Sequence, residues 1–134
     1  MPHSNSLKVL VVDDDPISLE VARERLERAH HQVVTRDRAL GTSQVILSDR
    51  PDCVLLDVMM PGISGDELAT LLRQQGRTKE TAIILHSSKD EEELAALIDE
   101  TGALGAIQKT SDDEAFLAQF ARLTRELAAG RRLS

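Results

Sequence analysis

Five short apolar runs, Leu7–Val12, Gln32–Thr35, Cys53–Leu56, Ala82–Leu85 and Leu104–Ile107, are spaced along the chain with amphipathic segments between them. The first, third and fourth are almost wholly apolar. A strand with water on one face alternates apolar and polar side chains. A continuous apolar run is what a parallel strand needs when helices cover both of its faces. The intervening segments repeat apolar residues at helical spacing. Leu19, Ala22, Leu26 and Ala29 form one stripe, widened by Ile17 and Val21, and Phe116, Phe120, Leu123 and Leu127 form another. Leu68, Leu71 and Leu72 make a shorter stripe, as do Leu94, Leu97 and Ile98. The segment Ala39–Asp49 predicts a weaker helix, because Gly41, Thr42, Ser43, Val45 and Ile46 are poor helix formers.

Punctuation supports these helices. Asp15–Pro16 reads as an N-cap followed by proline at the first helical position. Ser64…Glu67, Ser88…Glu91 and Ser111…Glu114 read as capping boxes, and Gly76, Gly102 and Gly130 fall where helices should stop. Strands and helices therefore alternate five times. This predicts an α/β fold: a doubly wound, five-stranded parallel sheet between helices, a three-layer sandwich with right-handed crossovers. A flavodoxin-like strand order, 2-1-3-4-5, puts a ligand site at the carboxyl ends of the strands, beside the switch between the first and third. At 134 residues the chain suits one domain. We place it at residues 7–129, with a disordered tail over 1–6 and a C-terminal tail over 130–134.

Composition narrows the function. The net charge of −7 argues against nucleic acid and anionic membranes as partners. Phe116 and Phe120 are the only aromatic residues, so stacking platforms for bases are absent. The single Cys53 excludes an intramolecular disulfide and a cysteine-based zinc site, and reads as a small core residue. No apolar stretch is long enough for a transmembrane helix, and Met1–Ser6 has no signal core, so a cytoplasmic location is expected.

The chemistry collects at the strand ends. The first strand runs into Asp13, Asp14 and Asp15, the third into Asp57, the fourth into Ser87, and the fifth leads to Lys109. Asp15 is needed as a cap, and each of the others alone would be an ordinary loop or surface residue. Together, the fold brings them to one pocket. Asp13, Asp14 and Asp57 close together resist joint ionisation unless a cation intervenes. Mg²⁺ takes oxygen ligands and keeps several waters, so two or three carboxylates suffice. His86 precedes Ser87 and by alternation points away from it, which suits a packed histidine better than a ligand. A carboxylate, Mg²⁺, a hydroxyl and a lysine suit phosphoryl transfer. Asp57 would be the nucleophile, Lys109 would neutralise the transferring oxygens, and Ser87 would hydrogen-bond one of them.

At these residues the sequence resembles the receiver domain of two-component response regulators, in the single-domain, chemotaxis-type form. The match covers about Leu7 to Leu127. It rests on Val11-Val12-Asp13-Asp14-Asp15, on Leu55-Leu56-Asp57-Val58-Met59-Met60-Pro61-Gly62-Ile63-Ser64-Gly65, on Ile83-Ile84-Leu85-His86-Ser87, and on Gly102-Ala103 through Lys109. The resemblance implies that Asp57 accepts phosphate from a phosphohistidine of a sensor histidine kinase or phosphotransfer protein. It implies that Asp14 holds Mg²⁺ directly and Asp13 largely through water, with the Met59 carbonyl as a further ligand. Ser87 would follow the phosphoryl group and Lys109 would pair with one of its oxygens. A downstream protein would read the face made by the fourth helix, fifth strand and fifth helix. Such a domain is no enzyme beyond its own phosphorylation and slow autodephosphorylation.

Two positions depart from the family pattern. Thr110 stands where proline usually follows the lysine. A non-proline cis bond costs ~3 kcal/mol, so Lys109–Thr110 should be trans or strained. Ala106 stands where an aromatic usually swings inward, so that readout cannot operate. These departures motivate an alternative, a pseudo-receiver acting as a scaffold without regulated phosphorylation. Met59 and Lys89 should flank the route of attacking water, and neither orients water well, which predicts slow dephosphorylation. A flavodoxin-like cofactor binder is disfavoured, since Asp13–Asp15 would repel a cofactor phosphate. The acidic runs Asp90–Glu93 and Asp112–Glu114 read as helix N-termini.

Overall fold

A computed structural model describes residues 6–60, 65–74 and 81–133. In chain order the elements are β1 (Lys8–Val12), α1 (Pro16–Arg28), β2 (Gln32–Arg36), α2 (Thr42–Asp49), β3 (Cys53–Asp57), α3 (Gly65–Gln74), β4 (Ala82–Ser87), α4 (Glu91–Thr101), β5 (Gly105–Gln108) and α5 (Asp113–Leu133). The strands form one parallel sheet in the order β2-β1-β3-β4-β5. This is the flavodoxin-like, doubly wound arrangement expected from the pattern.

Alternation along the strands builds two cores. Leu10, Val12, Val54, Leu56, Ile83 and Leu85 face one way and pack with Ile46 of α2, Leu68 and Leu72 of α3, and Leu97 and Ile98 of α4. Val9, Val11, Cys53, Leu55, Ile84 and Ile107 face the other way and pack with Ala22 and Leu26 of α1 and with Phe116 and Phe120 of α5. Because β3 is buried on both faces, its run needs no polar residue until Asp57. Truncating such a residue, as in Leu56→Ala, costs about 2–5 kcal/mol. Gly105 lies directly under α5: a Cβ there would lie 2.5 Å from Leu123 Cδ2, so a larger residue would force that side chain to shift.

The helix ends correct several expectations. Asp15 caps α1 by accepting the Ile17 N–H, with Pro16 in the first turn, and Gly102 ends α4 at φ 72° with its N–H on Ile98 O, both as expected. Ser88 and Ser111 do not cap. Asp90 caps α4, its carboxylate accepting the Glu93 N–H at 2.9 Å, and Asp112 accepts the N–H groups of Glu114 and Ala115 at the start of α5. A carboxylate at a helix N-terminus also gains from the dipole, which a serine hydroxyl does not. Gly130 does not stop α5, which continues to Leu133. A single glycine costs a helix ~1 kcal/mol, too little to end one flanked by alanine, arginine and leucine. Ile17 and Val21 are exposed and do not widen the buried stripe of α1. Strand ends shift by one or two residues: β1 starts at Lys8, β2 ends at Arg36, β3 takes in Asp57, β4 takes in Ser87, and β5 spans Gly105–Gln108. Ser64, Gly76, the stretch 61–64 of the Asp57 motif and the tail 1–5 lie outside the described residues. Among the described residues no helix is long and apolar enough to cross a membrane.

Candidate functional site

The sheet register assembles the site. Val12 pairs with Leu56, which sets Asp13 level with Asp57 at the ends of β1 and β3. Asp57 pairs with His86, so Ser87 lies one residue farther along β4. Ser87 pairs with Gln108, and the Lys109 N–H then donates to Ser87 O at 2.7 Å. Four strand ends thus bring the expected residues to one edge.

Asp13 and Asp57 are buried and Asp14 is exposed, and one carboxylate oxygen from each lies within 4.8 Å of the others. The Lys109 ammonium sits 3.2 Å from Asp13 Oδ2 and 3.7 Å from Asp57 Oδ1. Lys109–Thr110 is trans, as no cis peptide occurs among the described residues, and the ammonium reaches both acids all the same. An all-oxygen, acidic donor set with one member open to water fits a hard divalent cation that keeps part of its hydration shell.

The two buried acids differ. Burial alone would raise the Asp13 carboxyl. The Ser18 hydroxyl donating at 2.6 Å, the Asp15 N–H at 2.9 Å and the Lys109 charge outweigh it and hold Asp13 below its ordinary value. Asp57 is pushed up to about 6, by burial first and by the neighbouring Asp13 charge. Against these stand only the Met59 N–H at 3.1 Å and the more distant Lys109. The site therefore holds one firmly ionised carboxylate beside one that gains from a further cation.

Ser87 is buried, and its hydroxyl accepts the Lys89 N–H at 3.2 Å, which keeps its own proton available to another acceptor. His86 is packed, its ring edge-on to Phe116 at 5.5 Å, and burial together with the Lys109 charge lowers it to about 4. It is a neutral core residue outside the acid cluster. The Met59 side chain is exposed, and the Lys89 ammonium lies 3.4 Å from Glu93 Oε2.

Two participants were not found from the sequence. Ser18 holds Asp13, and the signal was a hydroxyl in the first turn of the helix that follows an acidic loop. Arg25 is buried in α1, donating to Asp113 Oδ1 at 2.6 Å and to Thr110 O at 2.9 Å. Its signal was an ionisable residue three positions after Ala22, inside the apolar stripe.

Comparison with known proteins agrees with this geometry. Residues 9–121 match the response regulator receiver domain. The protein PilH of Pseudomonas aeruginosa is 28% identical over 110 residues, which cover 82% of this chain and 91% of PilH. The nitrate/nitrite response regulator protein NarP of Escherichia coli is 36% identical over 119 residues, 87% of this chain but only 54% of NarP. Among solved structures, the chemotaxis protein CheY4 of Vibrio cholerae superposes with a TM-score of 0.80 at 26% identity, over 88% of this chain and 98% of that one. The BeF3-activated N-terminal receiver domain of Klebsiella pneumoniae RstA gives 0.77 at 31% identity, over 88% and 98%. A match of this extent, on a chain with this sheet order and these acidic strand ends, establishes that it belongs to the response regulator receiver domain family.

Proposed function

We propose that the chain works by accepting a phosphoryl group on Asp57 from the phosphohistidine of a sensor histidine kinase or phosphotransfer protein. Family membership makes it a signalling switch of the phosphorylation type rather than a metabolic enzyme. Receiver domains of this family use Mg²⁺ at an acidic pocket and act with histidine kinases and downstream effectors. The observation that carries the finer reading is the Lys109 ammonium placed between Asp13 and Asp57, with Asp14 open beside them.

In the proposed step, an Asp57 carboxylate oxygen attacks phosphorus, the bond from phosphorus to the donor's imidazole nitrogen breaks, and the imidazole leaves with the electron pair. Asp13, Asp14 and Asp57 would hold Mg²⁺ together with the Met59 carbonyl. Bound there, the ion supplies charge neutralisation that lets two buried acids be ionised together. Lys109 turns from the carboxylates to an oxygen of the new acyl phosphate. Ser87 donates its hydroxyl to another and carries that movement into the loop before α4. Biasing one of two conformations by phosphate is the switch, and the face formed by α4, β5 and α5 is its readout in the cytoplasm. Loss of phosphate is slow, because neither Met59 nor Lys89 offers a carboxylate or amide to orient water.

A second reading, a docking scaffold with no regulated phosphorylation, draws support from one feature. Ala106 leaves an open hollow of about 500 Å³ between α4 and α5, bordered by Leu94, Ile98, Gln119 and Arg122. Incubation with Mg²⁺ and acetyl phosphate separates the two. The switch predicts a phosphoryl mass gain that Asp57→Asn abolishes; no gain, or a gain that survives the substitution, supports the scaffold.

A further inference from the structure

We propose that Arg25 is a positioning residue for Lys109: it fixes the loop that aims the ammonium without touching the reacting atoms. The inference rests on the phosphoryl-transfer reading above. Lys109 lies one residue past the end of β5, where the β4–β5 ladder reaches it only through its last hydrogen bond. Two hydrogen bonds hold the backbone there. Its own N–H donates to Ser87 O at 2.7 Å, and the carbonyl of the next residue, Thr110, accepts from Arg25 Nη2 at 2.9 Å. Arg25 is itself fixed from three sides. Its Nε donates to Asp113 Oδ1 at 2.6 Å, a carboxylate whose other oxygen accepts from Arg28 at 3.0 Å, its guanidinium lies 5.3 Å from the centre of the Phe116 ring, and α1 buries it beside Ala22 and Leu26.

Core packing alone does not call for this side chain. Its neighbours on the buried face of α1 are Ala22 and Leu26, and an apolar residue would cost no desolvation there. Its partner Asp113 is half exposed, so the guanidinium gives up its hydration without gaining a fully buried counter-charge. What arginine adds is a rigid fork. Two donors in one plane hold Asp113, at the start of α5, and Thr110, beside Lys109, in a single geometry that the flexible lysine stem cannot reproduce. The start of α5 and the residue after Lys109 are thereby tied to α1, the helix whose Ser18 also holds Asp13.

The test is a double-mutant cycle on the rate of Asp57 phosphorylation by acetyl phosphate with Mg²⁺, followed by intact mass. Arg25→Gln should slow the rate by about 10- to 100-fold, the scale of a misplaced catalytic group. Lys109→Ala should slow it too, and the double variant should be no slower than Lys109→Ala alone, because Arg25 acts through Lys109. An equal slowing by Arg25→Gln in both backgrounds overturns the proposal. If Arg25→Gln does not fold, Asp113→Ala, at a half-exposed position, enters the same cycle and is read by the same two outcomes. A parent chain that takes up no phosphoryl group on Asp57 overturns both this inference and the reading beneath it, whereas an active parent with additive effects overturns the role of Arg25 alone.

Discussion

The ends of β1 and β3 carry the same side chain at the same depth, and the structure treats them oppositely. Asp13 receives a hydroxyl, a backbone N–H and the nearer contact of Lys109, and stays below its ordinary value. Asp57 receives one N–H and is pushed up to about 6. Burial is shared, so the number of donors decides. A well-satisfied acid is a fixed anchor. An under-satisfied one gains most from a cation and from losing its charge to a new ester-like bond, which is what a phosphoacceptor must do. The contrast assigns the two roles from local hydrogen bonding alone.

Substitution to asparagine should separate the two acids most sharply. Asp57→Asn removes the acceptor, so uptake from acetyl phosphate should vanish at any Mg²⁺ concentration. Asp13→Asn leaves the acceptor in place, so uptake should fall and be largely restored by raising Mg²⁺. Equal, unrecoverable loss in both variants would erase the distinction.

Stability against pH, measured by denaturant titration in chelator, should show opposite signs. Asp57 has a folded value near 6, above its ordinary 3.8. Its contribution to stability is therefore complete below pH 3.8 and is lost as pH rises through 6. Asp57→Asn should stabilise the protein by about 2–3 kcal/mol at pH 8 and by little below pH 4. Asp13 is depressed, so its contribution is present above the ordinary value and is lost as pH falls through its folded value. Asp13→Asn should therefore destabilise at pH 7 and progressively less in acid. Stabilisation by Asp57→Asn that does not change with pH would remove the electrostatic explanation.

Ser18→Ala takes away the strongest donor on Asp13 without touching any carboxylate. Magnesium affinity, read by calorimetry, should fall about tenfold, the usual cost of losing a group that orients a metal ligand. An unchanged affinity would mean that the Ser18 bond is incidental. The smallest effect belongs to Lys89→Ala. Its pair with Glu93 joins the loop before α4 to the first turn of that helix and is partly exposed, worth about 0.5 kcal/mol or less, and neither Asp13 nor Asp57 should titrate differently. A shift in the Asp57 titration would show that Lys89 belongs to the site after all.

Much of this was legible in the sequence, for physical reasons. A parallel sheet covered on both faces demands continuous apolar runs, so Val9–Val12 and Cys53–Leu56 announce themselves. The first charged residues after them, Asp13 and Asp57, must lie at the rim. Ser87 and Lys109 follow by the same logic on β4 and β5. Local competition hid other details. Ser88 and Asp90 stand two residues apart, and Ser111 and Asp112 are adjacent, so spacing alone does not tell which side chain will cap. Ser18 and Arg25 left only weak signals, because what gives them a role is contact with Asp13 and with the Thr110 carbonyl and Asp113, which the fold creates. The separate behaviour of Asp13 and Asp57 depends on those same tertiary contacts.

The most direct measurement is a carbon-13 carboxyl titration of Asp13 and Asp57, with and without Mg²⁺. The account predicts that, without metal, Asp57 titrates near 6 and Asp13 below 3.8, and that Mg²⁺ draws Asp57 down toward Asp13. Two carboxyls that titrate together near their ordinary value, and that Mg²⁺ leaves unmoved, would contradict it.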